Sequence, residues 1–240
     1  LIKLTGVDRE VIEKWLYVIV GLTFLSGVLG TGHHYYYIGV NKIWLIVGGI
    51  FSALEPLAFL AMALFAVNMY RKGEKSHPNK IALFWTIGSA IVSFVGAGLL
   101  GFAHTLPQVN IYTHGTLVTA MHGHYAFWGA YAMIVFAIIS YALPNLTGRK
   151  RYDSTQGHLA FWLSNIGILG MTVAFGVAGV AQVYLERKMK MEFGDVQNEI
   201  AVHFVVLLIC ATLFTVGISM FIYDFIKYGR PTDEALEETK

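Results

Sequence analysis

Along the chain, long apolar runs alternate with short clusters of charge and turn residues. Six runs stand out, at about Glu13–Tyr37, Ile43–Tyr70, Lys80–His104, Thr113–Leu143, Gln156–Glu186 and Glu199–Tyr228. A helix crossing a bilayer needs about 20 mainly apolar residues, and every run is at least that long. The connections are short, the tightest being Ile38–Lys42, so consecutive helices are expected to lie antiparallel in one bundle. The pattern therefore predicts an all-α, polytopic membrane helix bundle of six transmembrane helices. Residues 1–240 should form a single membrane domain, with no linker and no second domain.

Composition agrees with a lipid environment. Hydrophobic residues make up 56% of the 240 residues and charged ones 13%, about half the charged share of an average soluble domain. A net charge of +2, with Lys and Arg dispersed rather than run together, excludes a nucleic-acid partner. The single cysteine, Cys210, cannot form an internal disulfide, and without a Cys-x-x-Cys-His motif any haem is non-covalent. Leu1 to Lys14 mixes acids and bases, unlike a signal peptide, and a start on Leu1 suggests a fragment or a processed chain.

Basic residues also indicate orientation. Thirteen of the 17 Lys and Arg fall in the N-terminal segment, the second and fourth connections and the tail, all on one side of the bundle. The rest, Lys42, Arg187, Lys188 and Lys190, lie on the other. By the positive-inside rule both termini should be cytoplasmic. The acidic tail Asp233–Glu238 reads as a solvated end.

Polar groups at membrane depth tend to mark function, and the nine histidines are unevenly placed. His77 and His158 read as interfacial residues, and His203 as an interhelical hydrogen-bonded residue just inside the last span. His33 and His34 end the first span, in Gly30-Thr31-Gly32-His33-His34-Tyr35. Adjacent helical residues project about 100° apart, so both imidazoles could reach one metal ion, or both could snorkel among tyrosines. Gly27, Gly30 and Gly32 would admit a planar group or another helix. His122 and His124 project about 200° apart on a helix. They cannot share a metal, but they could hold two haems on opposite faces, with Gly123 relieving the gap between them.

Glu55, in Phe51-Ser52-Ala53-Leu54-Glu55-Pro56, is a carboxylate in the middle of the second span. Buried, ionised and unpaired it would be expensive, so it should be protonated, paired, or near a metal or water. Pro56 removes one helical N–H and should loosen the helix there. The segment Phe102–Thr116 reads as an uncharged extracytoplasmic turn, rich in donors that haem propionates would need.

At these residues the chain resembles a known family. Gly30-Thr31-Gly32-His33-His34-Tyr35, Phe51-Ser52-Ala53-Leu54-Glu55-Pro56, His104-Thr105-Leu106, Tyr112-Thr113-His114-Gly115-Thr116 and His122-Gly123-His124 look like the catalytic cytochrome b subunit of bacterial nitric oxide reductase, within the haem–copper oxidase superfamily. The segment Thr5–Leu16 looks closest to the cytochrome c-dependent type. The resemblance implies that His33 and His34 ligate a non-haem iron, that His122 is the proximal ligand of haem b3, and that His124 is one axial ligand of haem b. It makes Glu55 a contributor to proton supply or charge balance beside the iron, and implies calcium near the haem propionates. The implied reaction reduces two NO to N2O and water in a bacterial cytoplasmic membrane, with a cytochrome c subunit as donor. The chain departs from the family in length. The match is to the second half of a twelve-helix catalytic subunit, and the other haem b ligand and the remaining iron ligands would come from a missing N-terminal half.

Two further readings fit part of the pattern. An oxygen-reducing cbb3-type oxidase would carry a redox-active tyrosine one or two turns before the His pair, where this chain has Phe24-Leu25-Ser26-Gly27. A non-catalytic membrane cytochrome b would use His122 and His124 but leave His33, His34 and Glu55 idle. A purely structural membrane component would hold neither haem nor iron.

Overall fold

The computed structural model describes residues 7–72, 79–147 and 155–228. His77, the acidic tail and the basic cluster Arg149–Arg151 lie outside them. Among the described residues every regular element is helical. Six helices are long and apolar enough to cross a membrane: α1 (Arg9–Tyr35), α2 (Lys42–Lys72), α3 (Lys80–Thr105), α5 (Leu117–Pro144), α6 (Thr155–Lys188) and α8 (Ala201–Lys227). They match the six apolar runs to within a few residues. Two short helices, α4 (Pro107–Thr113) and α7 (Phe193–Glu199), sit in the connections.

The helix ends follow local chemistry. Asp8 caps α1 by accepting from Glu10 N–H at 3.2 Å. Asn79 caps α3, accepting from Ala82 N–H at 3.0 Å, while its Nδ2 donates to Ser140 C=O on α5 at 2.8 Å. The connection after α3, expected as an irregular donor-rich loop, instead folds into α4. Pro107 opens that helix where its missing N–H does no harm, and Tyr36 Oη donates to Thr105 C=O at 2.6 Å, tying the end of α1 to that of α3.

The core lies where α3, α5, α6 and α8 meet. Trp85 is fully buried, in edge contact with Trp128, Phe136, Phe161 and Phe221 at 5.0–6.0 Å. The α6–α8 contact is made close by glycines: a Cβ on Gly167 would run into the Phe214 backbone, and one on Gly217 into that of Ser164. The outer faces of α1 and α8 are lined by exposed Val, Leu, Ile and Phe, as expected of surfaces that meet lipid or further helices.

Three features position the site. The helix of α2 is interrupted, with turn residues Ala53 and Leu54 between Lys42–Ser52 and Glu55–Lys72. Pro56 therefore opens the second piece, a break more complete than the loosening expected. Secondly, α1, α3 and α5 carry π-helical stretches at Leu25–Leu29, Phe94–Leu100 and Trp128–Ala132, a local widening often found at functional sites. Thirdly, α1 ends in a 3-10 turn over Thr31–Tyr35. There Gly32 presses on Gly48 and on the Trp44 carbonyl so closely that no side chain would fit.

Candidate haem and metal site

A cavity of about 520 Å³ opens between α1, α2, α3 and α5. Its wall contains His33 and His34 from the 3-10 turn, Glu55 from the break in α2, Gly101 and His104 from α3, Asn110 from α4, His114, and Thr119 and His122 from α5. The π-helical stretches supply Ser26, Gly27, Ala97 and Tyr131 to the same wall. Residues far apart in sequence thus reach one space, among them five histidines and one carboxylate.

His33 and His34 lie side by side, ring centroids 4.1 Å apart, close enough to face one ion. Of the glycines expected to admit a neighbour, Gly30 and Gly32 receive helix α2, whereas Gly27 lines the cavity and a Cβ there would meet nothing within 4 Å. His122 crosses from α5 toward α3. Its Nδ1 lies 2.9 Å from Gly96 C=O, inside the π-helical stretch of α3. A carbonyl only accepts, so the Nδ1 of a neutral ring carries the proton and Nε2 keeps its lone pair.

His124 points the other way. With Thr119, Gly123, Trp128, Met171 and Phe214 it lines a second cavity of about 550 Å³, between α5, α6 and α8. Its Nδ1 lies 2.8 Å from Ala120 C=O, one turn back, which again frees Nε2, and its ring stacks on Phe175 at 4.9 Å. Thus the two histidines open on separate cavities, and Thr119 lines both.

The residues present fit a large group in each cavity. Each cavity falls in the size range of cofactor sites, and each offers an imidazole nitrogen with a free lone pair. In the first, His104 Nε2 and Asn110 Oδ1 are buried without a hydrogen-bond partner, as expected where a bound molecule or water completes the wall. For a metal ion the fit is partial. Among the described residues no group of three or more His, Cys, Asp or Glu is arranged to hold one, so His33 and His34 can supply two ligands and the remainder must come from outside them.

Sequence patterning misses part of this wall. His104 reads from sequence as a loop donor, yet its ring stacks on His122 at 5.1 Å while its Nδ1 bonds Leu100 C=O. His114 meets Tyr37 edge-on at 5.0 Å, and its carbonyl accepts from Arg187 at 3.3 Å. Ser52 stands in the motif Phe51–Pro56, but nothing in the sequence assigns it a role. His203 bonds Ile200 C=O, just before its own helix, at 3.2 Å rather than a neighbouring helix, and His158 rests against Phe84 at 5.4 Å.

The bundle opens an imidazole on each of two sides of one membrane helix, and comparison with known proteins assigns its class. The chain belongs to the cytochrome c and quinol oxidase polypeptide I family, whose model matches residues 1–213. It is 47% identical over 238 residues to a nitric oxide reductase subunit of Stutzerimonas stutzeri, covering 96% of this chain and 50% of that relative. It is 24% identical over 176 residues to cytochrome c oxidase subunit 1 of Corynebacterium diphtheriae, covering 69% of this chain and 30% of that relative. A cytochrome c oxidase subunit 1 homolog of Agrobacterium tumefaciens is 35% identical over 99 residues, 40% of this chain and 18% of that relative. The chain thus spans about half the length of the nitric oxide reductase relative, and less of the two oxidase relatives.

Proposed function

We propose that this chain is the C-terminal half of the catalytic subunit of a nitric oxide reductase. The observation that carries the reading is the division of labour among histidines: His33, His34 and His122 share one cavity, and His124 faces another. His122 would hold haem b3 through Nε2, His124 would be one axial ligand of haem b, and His33 and His34 two ligands of a non-haem iron. When bound, haem b3 and the iron supply the redox positions at which two NO, two electrons and two protons become N2O and water.

The chain's own residues do the rest. Both ligand imidazoles of α5 are held by carbonyls at Nδ1, which fixes their planes and raises ligand basicity. Glu55 stands in the wall of the cavity that holds the His pair, placed to hold a proton or to balance cationic charge. His104, Asn110 and His114 line the same cavity near the α3–α5 connection and would supply hydrogen bonds to haem propionates, near which calcium would bind. The bundle lies in a bacterial cytoplasmic membrane with both termini cytoplasmic, and it pairs with the N-terminal half and with a cytochrome c subunit.

The oxygen-reducing alternative needs a tyrosine before the His pair. The residues there are Phe24-Leu25-Ser26-Gly27, of which Ser26 and Gly27 line the cavity wall. The tyrosines that reach the cavity are Tyr36 and Tyr131; the former has its hydroxyl bonded to Thr105 C=O and the latter is largely exposed.

The deciding experiment measures NO consumption, N2O formation and the ratio of non-haem to haem iron in the purified complex containing this chain. Turnover of NO with non-haem iron present is expected. Haem iron alone with no NO turnover would mark an electron carrier, and faster consumption of O2 than of NO would mark an oxidase.

A further inference from the structure

Ser52 ends the first piece of α2 and is fully buried. Its Oγ lies 2.5 Å from His33 Nδ1, 2.6 Å from Gly48 C=O and 3.2 Å from Gly30 C=O. A hydroxyl has one proton and two lone pairs, and both carbonyls can only accept. Gly48 C=O is the nearer of the two carbonyls, and as an obligate acceptor it takes the proton. What remains to face His33 is a lone pair, so the ring carries its own proton on Nδ1 and turns Nε2 outward as an acceptor. The reverse arrangement, with Ser52 donating to Nδ1, would leave both carbonyls without that donor and would place the His33 proton on the nitrogen a metal needs. The contact exists because glycines bring the two helices together: Gly32 meets Gly48 backbone to backbone, and a Cβ on Gly30 would stand 3.1 Å from Ser52 Oγ.

We propose that Ser52 is a positioning residue for the metal site, fixing the tautomer and plane of the His33 imidazole by accepting its Nδ1–H. The proposal rests on the reading of His33 as an iron ligand. Ser52 reaches the metal only through His33. The hydroxyl itself is held in place by the Gly48 carbonyl one turn back, so the ring is set by the α1–α2 contact and not by the metal alone. Partners of this kind that orient a ligating histidine change metal affinity by about 10–100-fold when removed.

The test uses the complete complex in four variants, Ser52→Ala, Ser52→Thr, Ser52→Val and His33→Ala. In each, the non-haem iron content and the rate at which the ferrous chelator ferrozine extracts that iron are measured, with the haem optical spectrum as the control for integrity. Thr and Val add the same bulk and differ in the hydroxyl. Ser52→Thr should keep its iron longer than Ser52→Val, and Ser52→Ala should lose it about 10–100-fold faster than the parent, with haem spectra unchanged. Equal extraction from the Thr and Val variants, or parent-like extraction from Ser52→Ala, overturns the role of Ser52. If either result comes with loss of iron in His33→Ala, the ligand reading of His33 stands. Iron retained in His33→Ala overturns that reading, and the proposal with it.

Discussion

Replacing Gly32 with Ala tests whether the backbone contact between α1 and α2 holds the His pair in place. A Cβ at this position would press into the Trp44 carbonyl oxygen and stand 2.8 Å from its carbon and 3.0 Å from Gly48 Cα. All three are backbone atoms, which cannot swing aside as a side chain tip can, so the helices must separate. Overpacking of a filled interior costs about 1–3 kcal/mol, and backbone obstruction argues for the upper end. Ala recovers about 1 kcal/mol over Gly in helical backbone, leaving a net loss of about 2 kcal/mol. A chain of this length alone would lose about 4–8 °C at about 2–4 °C per kcal/mol, and because the slope falls with size the larger complex should lose no more than that. The assay is thermal unfolding of the detergent-solubilised complex followed by tryptophan fluorescence, with non-haem iron measured in parallel, since His33 follows Gly32 directly and its bond to Ser52 would open. Gly48→Ala should act alike, its Cβ falling 2.5–2.6 Å from Gly32 and the His33 nitrogen. Gly21→Ala is the control, with nothing within 4 Å of its Cβ, and should melt at or above the parent. A Gly32→Ala complex that melts with the parent and keeps its iron would refute the reasoning.

The remaining predictions concern the groups themselves. His122→Ala should remove the high-spin haem signal and His124→Ala the low-spin one, because the two rings open on different cavities; loss of the same haem in both variants, read by optical and EPR spectra, contradicts this. Replacing His33 or His34 with Ala should lower non-haem iron and abolish NO reduction while the haem spectra persist, and full turnover by His33→Ala sinks the assignment. Glu55→Gln keeps size but removes a titratable group from the cavity wall, so NO consumption should drop on the order of 10²-fold with haem content near normal; activity within about twofold of the parent leaves Glu55 structural.

What patterning can show in advance is what depends on period and length. Six apolar runs correspond to six helices because a bilayer-spanning segment is long, and its ends are set by charge, turn residues and caps. The opposite aim of His122 and His124 follows from helix geometry alone. The break at Ala53 and Leu54 is only half visible. Pro56 announces a weakened helix, but a proline cannot say whether the chain bends or restarts. The π-helical stretches are not visible, because each depends on contacts with neighbouring helices that no local pattern records. Ser52 and His104 escape for the same reason: their partners lie 19 and 18 residues away, in other helices or farther along the fold. The short helix α4 does carry a signal, Pro107 after Leu106, but seven residues give too little periodicity to separate a helix from a turn.

Thr119, Gly123 and the two flanking histidines make one stretch of α5 a partition, with a chamber on each side. Between the two imidazoles runs an unbroken covalent path through the backbone of Gly123, so groups held by His122 and His124, as proposed, would be joined through bonds. The same bonds make the partition a single mechanical part. A roll of this turn moves both rings at once, and a tilt that widens one chamber narrows its neighbour. A substitution in this stretch therefore perturbs the surroundings of both rings, and with the proposed haems bound it would retune both.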